Sequence, residues 1–199
     1  MEKSFKEAVK HRRTYYAISN QSTIGDSKIQ EIIEFAITNV PSAFNSQSSR
    51  IVLLLGEHHT KLWDIAKEEL HKIIPPVAYP ATDAKIDSFA AGYATILYFE
   101  DMNTVESLQK QFATYAENFP TWSQQASAMH QFTIWTMLED NGLGASLQHY
   151  NPLIDAQVHT QWDIPQSWKL IAQMPFGTPS QEPGEKTFMP INDRIKIFK

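Results

Sequence analysis

The run Ile51-Val52-Leu53-Leu54-Leu55-Gly56 follows a polar stretch, Ser42 to Arg50, without a single charged or polar interruption. An unbroken apolar segment of strand length reads as a strand buried on both faces, because a half-exposed strand alternates. The chain is therefore expected to cover a sheet on either side, with this strand placed centrally.

The rest of the sequence supplies the covering layers. Phe5, Ala8 and Val9 lie at helical spacing and predict a short first helix ending in His11-Arg12-Arg13. Asp26 or Ser27 can cap a second helix bearing Ile29, Ile32, Ile33, Phe35, Ala36, Ile37 and Val40, ended by Pro41. Leu62, Ile65, Ala66, Leu70, Ile73 and Ile74 mark a third, after which Pro75 to Asp83 reads as a surface loop. Ala94 to Phe99 is a second strand-like run, followed by a polar helix to about Tyr115. From Thr121 to Asn141, Trp122, Ala126, Met129, Phe132, Ile134, Trp135, Met137 and Leu138 make a long helix apolar around much of its circumference. Such a helix is buried, in part against a second subunit. Gly142 stops it, Leu143 to Leu147 is a short extended segment, and Asn151-Pro152 opens another short helix. Trp168 to Met174 reads as a third strand, Pro175 to Gly184 as a turn-rich loop, and Arg194 to Phe198 alternates like a terminal strand. Helices interleaved with short strands give α/β or α+β architecture, and 199 residues suit one domain spanning 1–199.

Several function classes are disfavoured at this level. A formal net charge of -5, with both signs interspersed, offers no basic stripe for nucleic acid. The absence of cysteine removes disulfides, thiolate metal sites and a cysteine nucleophile, so redox chemistry would need a bound cofactor. The charged N-terminus MEKSFKEAVKHRR is neither a signal peptide nor a membrane span, and a cytoplasmic location with no membrane partner follows by default. His58 and His59 are adjacent and begin no H-E-x-x-H pattern, which argues against a metal hydrolase.

Four short segments could carry chemistry. Arg12-Arg13-Thr14 combines planar guanidinium forks with a hydroxyl and could bind phosphate, although a solvated basic helix end has the same appearance. Pro41 to Gln47 is rich in short hydrogen-bonding side chains whose amides could meet the imide edge of a flavin or a base; it also fits a simple turn. Gly142-Leu143-Gly144 is no dinucleotide fingerprint, yet its glycines permit close backbone approach to a flat ligand. Lys186 follows a Pro/Gly loop and could bring a cation to a phosphate, or simply be exposed.

The order of these segments resembles the nitroreductase family of FMN enzymes over nearly the whole chain. The family's Arg-[Arg/His]-[Ser/Thr] is matched by Arg12, Arg13 and Thr14, and its Pro-Ser-x-x-Asn-x-Gln loop by Pro41, Ser42, Asn45 and Gln47. Gly142-Leu143-Gly144 after the long helix and Pro175-Phe176-Gly177 followed by Lys186 complete the pattern. The segments from Gly144 to Asn151 and from Pro183 to Phe188 look most like the small branch related to the yeast fatty-acid-repression proteins. The resemblance implies an α+β sandwich, a central antiparallel or mixed sheet flanked by helices, with FMN at the interface of a homodimer. It implies that Arg12, Arg13, Thr14 and Lys186 hold the phosphate end. Ser42, Asn45 and Gln47 would contact the ribityl chain and ring edge, and Leu143 and Gly144 would lie against the ring or offer backbone donors. It implies reduction of nitroaromatics or quinones by NAD(P)H with no catalytic side chain assigned, or alternatively a flavin-binding sensor of lipid or stress responses. Two departures stand out: Phe188 replaces an arginine that many relatives carry, leaving that contact missing or supplied by Arg194, and Ser48-Ser49 replace Pro-Trp.

Overall fold

A computed structural model describes residues 3–199, and these form seven α-helices and five strands. The strands are β1 (Ile18–Ser19), β2 (Ser49–Leu55), β3 (Ala94–Asp101), β4 (Gly144–Ala145) and β5 (Trp168–Pro179). Their sheet runs β1-β5-β3-β2, with β4 also paired to β5 and every strand pairing antiparallel. This is the α+β sandwich that the resemblance implies.

The alternation of β3 explains the layers. Ala94, Ile96 and Tyr98 face one core with Ala172, Met174 and Phe176 of β5. Leu97 and Phe99 face the other with Leu170. The first core is closed by α2 (Asp26–Asn39) and α6 (Phe119–Asp140), through Ile29, Ile32, Ala36, Ile134 and Leu138. The second is closed by α3 (Glu57–His71), α4 (Tyr79–Ala90) and α7 (Asp155–Gln161), through Leu62, Trp63, Phe89 and Val158. The remaining helices, α1 (Phe5–His11) and α5 (Met102–Gln111), flank this sandwich. Ser4 starts α1 with a capping box, its hydroxyl accepting from the Glu7 N–H. No helix among the described residues is long and apolar enough to cross a membrane.

Five expectations need correction. The Ile51–Gly56 run is an edge strand, not a central one: β2 pairs only with β3, and Ile51, Val52 and Leu53 stay half-buried. The strand buried on both faces is β3. Residues 75–83 are not a loop; a 3-10 turn leads into α4, because Pro80 sits in the first helical turn, where its missing N–H costs nothing. Pro175 to Pro179 continue β5 rather than turning. Residues 194–198 pair with no strand among the described residues, and a lone alternating segment has no ladder to join. Gly25, not Asp26 or Ser27, caps α2, and Asp26 instead accepts from the Tyr93 hydroxyl at 2.5 Å. The two-residue β1 was also missed, being too short for periodicity to reveal.

One buried polar chain sets an acid response. His59 Nε2 donates to the Ala90 carbonyl (3.1 Å), so its Nδ1 accepts from the Thr95 hydroxyl (2.8 Å), whose oxygen accepts from Trp63 Nε1–H (3.0 Å). Burial holds the His59 pKa below its ordinary value. A depressed pKa means the neutral ring's contribution is complete above about pH 6.5 and is lost as pH falls through the folded-state value. Thermal midpoints should therefore decline on acidification from pH 7 to 5. His59→Phe should show a shallower decline, and parallel curves for the two proteins would refute this assignment.

Candidate functional site

α1 ends at His11, and the Arg12 N–H closes it on the Ala8 carbonyl at 2.9 Å. Beyond it, Thr14 forms a parallel bridge with Ala145 and the Tyr15 N–H donates to the Ala145 carbonyl at 3.0 Å. The basic segment is thereby laid against β4. The Arg12 guanidinium stacks over the Trp135 ring, 4.4 Å from its centroid, and its buried Nε has no hydrogen-bond partner among the described residues. Burial lowers the Arg12 pKa, opposed by the charge of Glu139. A planar donor fork fixed on an aromatic face, with one buried N–H unspent, can take an anion at little conformational cost.

Arg13 donates to the Gly184 carbonyl at 2.5 Å and so tethers the segment that carries Lys186. Lys186 is exposed, its Nζ 5.3 Å from the Phe188 ring centroid. Arg13 thereby links the basic segment to the stretch of chain that leads into Lys186. Leu143 and Gly144 follow α6 and open β4. The Leu143 side chain is fully buried in the core, and its N–H is engaged by the Leu138 carbonyl at 2.9 Å. The space that a Cβ on Gly144 would take is filled by the Tyr15 side chain at 2.8 Å and Pro179 at 2.9 Å. Gly144 thus lets Tyr15, and with it the basic segment, approach β4 closely.

The second group comes from the turn after α2. A 3-10 turn spans Ala43–Asn45, and the Ser42 hydroxyl accepts from the Gln47 N–H at 3.0 Å, closing the loop. Phe44 (φ 55°), Asn45 (φ 51°) and Gln47 (φ 48°) adopt the left-handed region that side chains resist. Ser42 and Gln47 line a cavity beside β2 with His130 and Trp168, and Ser42 and Phe44 line another with Trp122 and Met129. Behind the loop, Ser48 and Ser49 donate to the two carboxylate oxygens of Glu100 at 2.5 and 2.6 Å. Glu100 is 1% exposed; burial raises its pKa, and the two serines oppose the rise. His130 Nδ1 donates to the Ala126 carbonyl at 2.8 Å, with Ser49 Oγ 3.3 Å away. Sequence reasoning missed Glu100 and His130. Their one signal was Ser48-Ser49 standing where relatives have Pro-Trp.

The two groups are not joined by any described hydrogen bond. Arg12 rests on Trp135 and the Phe44 loop on Trp122, which are separated along α6 by about 20 Å at 1.5 Å per residue. One chain thus presents two separate groups of candidate residues.

A model of the nitroreductase family matches residues 9–178. The Saccharomyces cerevisiae protein HBN1 is 39% identical over 191 residues, 94% of this chain and 93% of that one. The S. cerevisiae nitroreductase FRM2 is 32% identical over 200 residues, 98% and 97% of the respective chains. Among solved structures, the nitroreductase CinD of Lactococcus lactis in complex with chloramphenicol superposes with a TM-score of 0.90 at 44% identity, covering 98% of this chain and 100% of that one. CinD is also known in complex with 4-nitrophenol.

Proposed function

The chain belongs to the nitroreductase family, and from that premise we propose that it is an FMN-dependent oxidoreductase of the nitroreductase type. In this reading a homodimer takes electrons from NADH or NADPH and reduces small nitroaromatic or quinone acceptors. The observation that carries it is the Arg12 guanidinium, stacked on Trp135 with a buried, unpaired Nε. Such a group suits a phosphate, because phosphate oxygens accept from a planar fork in bidentate fashion.

Arg12, Arg13, the Thr14 hydroxyl and Lys186 would hold the phosphate end of FMN. Ser42, Asn45 and Gln47 would meet the ribityl chain and the imide edge, where amides can both donate and accept. FMN supplies the hydride and electron chemistry when bound. The protein's part is to bind, orient and exclude water, and no side chain is required as nucleophile or general base.

What one chain leaves uncovered supports a dimer. Phe35, Val40, Met129 and Phe132 line an apolar groove between α2 and α6, with Phe132 40% exposed. The outer edge of β2 is free, and Ile195, Ile197 and Phe198 lie exposed in an alternating segment that has no strand partner of its own. Apolar area of this kind and an unpaired edge are both features that association removes. Two copies would also unite the two groups of candidate residues that lie far apart on α6.

The purified protein is expected to be yellow, to bleach with NADH or NADPH, and to recover its flavin absorbance on addition of 4-nitrophenol. Light scattering should give twice the mass of the chain. A colourless protein that takes up no added FMN would overturn the proposal. A yellow protein that neither nicotinamide reduces would leave a flavin-binding regulator in its place.

A further inference from the structure

The Phe44 ring is the hub of an aromatic cluster that the Ser42–Gln47 turn alone does not require. It lies 4.8 Å from the Phe112 ring, 5.9 Å from Tyr115, 5.3 Å from Phe119 and 6.0 Å from Trp122, centroid to centroid. Its plane is within 21° of Trp122. Despite these contacts Phe44 remains 49% exposed, and its backbone sits at φ 55°. A bulky residue resists this region, whereas glycine adopts it freely. Persistent strain beneath an exposed ring is a mark of a ligand clamp.

Phe44 also forms one wall of a cavity of about 440 Å³ with Trp122, Met129, Ser42 and Gln125. The volume falls in the range of small-molecule sites, and the lining is mainly apolar with one amide and one hydroxyl at hand. A flat ring would stack on Phe44 and Trp122, contact the polarizable Met129 thioether, and present a polar substituent to the Gln125 amide.

We propose that Phe44, held by its left-handed backbone and backed by Trp122, is the residue that selects planar aromatic acceptors by ring stacking. The inference rests on the reductase reading above and assigns its acceptor a wall. Loss of the ring should weaken acceptors in proportion to their aromatic face. Loss of apolar bulk alone should not, which separates stacking from mere anchoring of the turn to the 112–122 segment.

The test is a titration of the oxidised, FMN-loaded protein with 4-nitrophenol, followed by tryptophan fluorescence, in Phe44→Leu, Phe44→Ala and Phe44→Tyr, with melting curves for each. Phe44→Leu and Phe44→Ala should weaken binding about tenfold, and Phe44→Tyr should stay within twofold of the parent. The KM for 4-nitrophenol should rise in parallel with little change in kcat. Equal affinity in the parent and Phe44→Leu overturns the proposal, as does a loss that Phe44→Tyr shares. Should Phe44→Ala melt early, Phe44→Leu, which retains apolar volume, decides alone. A parent protein that takes up no FMN would refute the reductase reading and the wall with it, whereas FMN binding and turnover insensitive to Phe44 would refute the wall only.

Discussion

Gly177→Ala is expected to destabilise the protein by about 3 kcal/mol, the upper end of ordinary overpacking penalties, and to lower the melting temperature by about 10 °C for a chain of this size. A Cβ at this position meets the backbone carbonyl of Ser19 inside contact distance and the Tyr93 N at 3.0 Å. Neither atom is the end of a flexible side chain. β1 pairs with β5 at Ile18↔Pro179 and Ser19↔Thr178, with Ala17 and Gln21 bonded to Ser180 and Thr178 on either side, so a methyl at Gly177 forces this whole approach apart. The effect should reach the cofactor, because β1 follows directly on the segment that fixes Arg12 to Thr14 against Ala145. Circular dichroism melts and the flavin-to-protein absorbance ratio would show both losses; an unchanged melt would mean that the β1 approach is looser than the structure describes.

The second large effect is expected from charge reversal. Arg12→Glu combined with Lys186→Glu should cut FMN affinity by about a thousandfold or more, since each charge-assisted hydrogen bond contributes about 1.5–3 kcal/mol and tenfold corresponds to about 1.4 kcal/mol. Repulsion between the new carboxylates and the phosphate adds to the loss. Arg12 also packs on Trp135, so Arg12→Met is the needed companion: it retains an apolar stem over the ring while losing the fork. Equilibrium dialysis of FMN against the three proteins reads the outcome. Full retention in the double reversal would mean that both cations are solvated and that the phosphate, if bound, sits elsewhere.

Particular residues show how far the sequence could be read. The helical face Ile29-Ile32-Ala36 was plain because its period matched its burial. Lys186 was singled out by its place after a Pro/Gly loop and given a role only by the resemblance; the Arg13 bond to the Gly184 carbonyl, two residues before it, could not be read from either. The apolar run from Ile51 misled because an edge strand awaiting cover carries the same composition as a central one, and periodicity cannot tell them apart. Gly144 was legible only in part. Its close backbone approach was inferred, but that one approaching group is Tyr15, 129 places away in the chain, follows from no pattern that links the two. Glu100 was illegible because its partners, Ser48 and Ser49, meet it across the β2–β3 ladder, a register that the sequence does not print.

The single helix that carries Trp122 near one end and Trp135 near the other has a further meaning. A straight helix is a ruler: its length and its angular phase are fixed together by hydrogen bonding. Inserting one residue between the two tryptophans would lengthen the ruler by about 1.5 Å and turn one end by about 100° against the other. Surface loops of such a protein can grow or shrink freely, but this interval cannot. It should be the segment in which related chains tolerate no insertion at all.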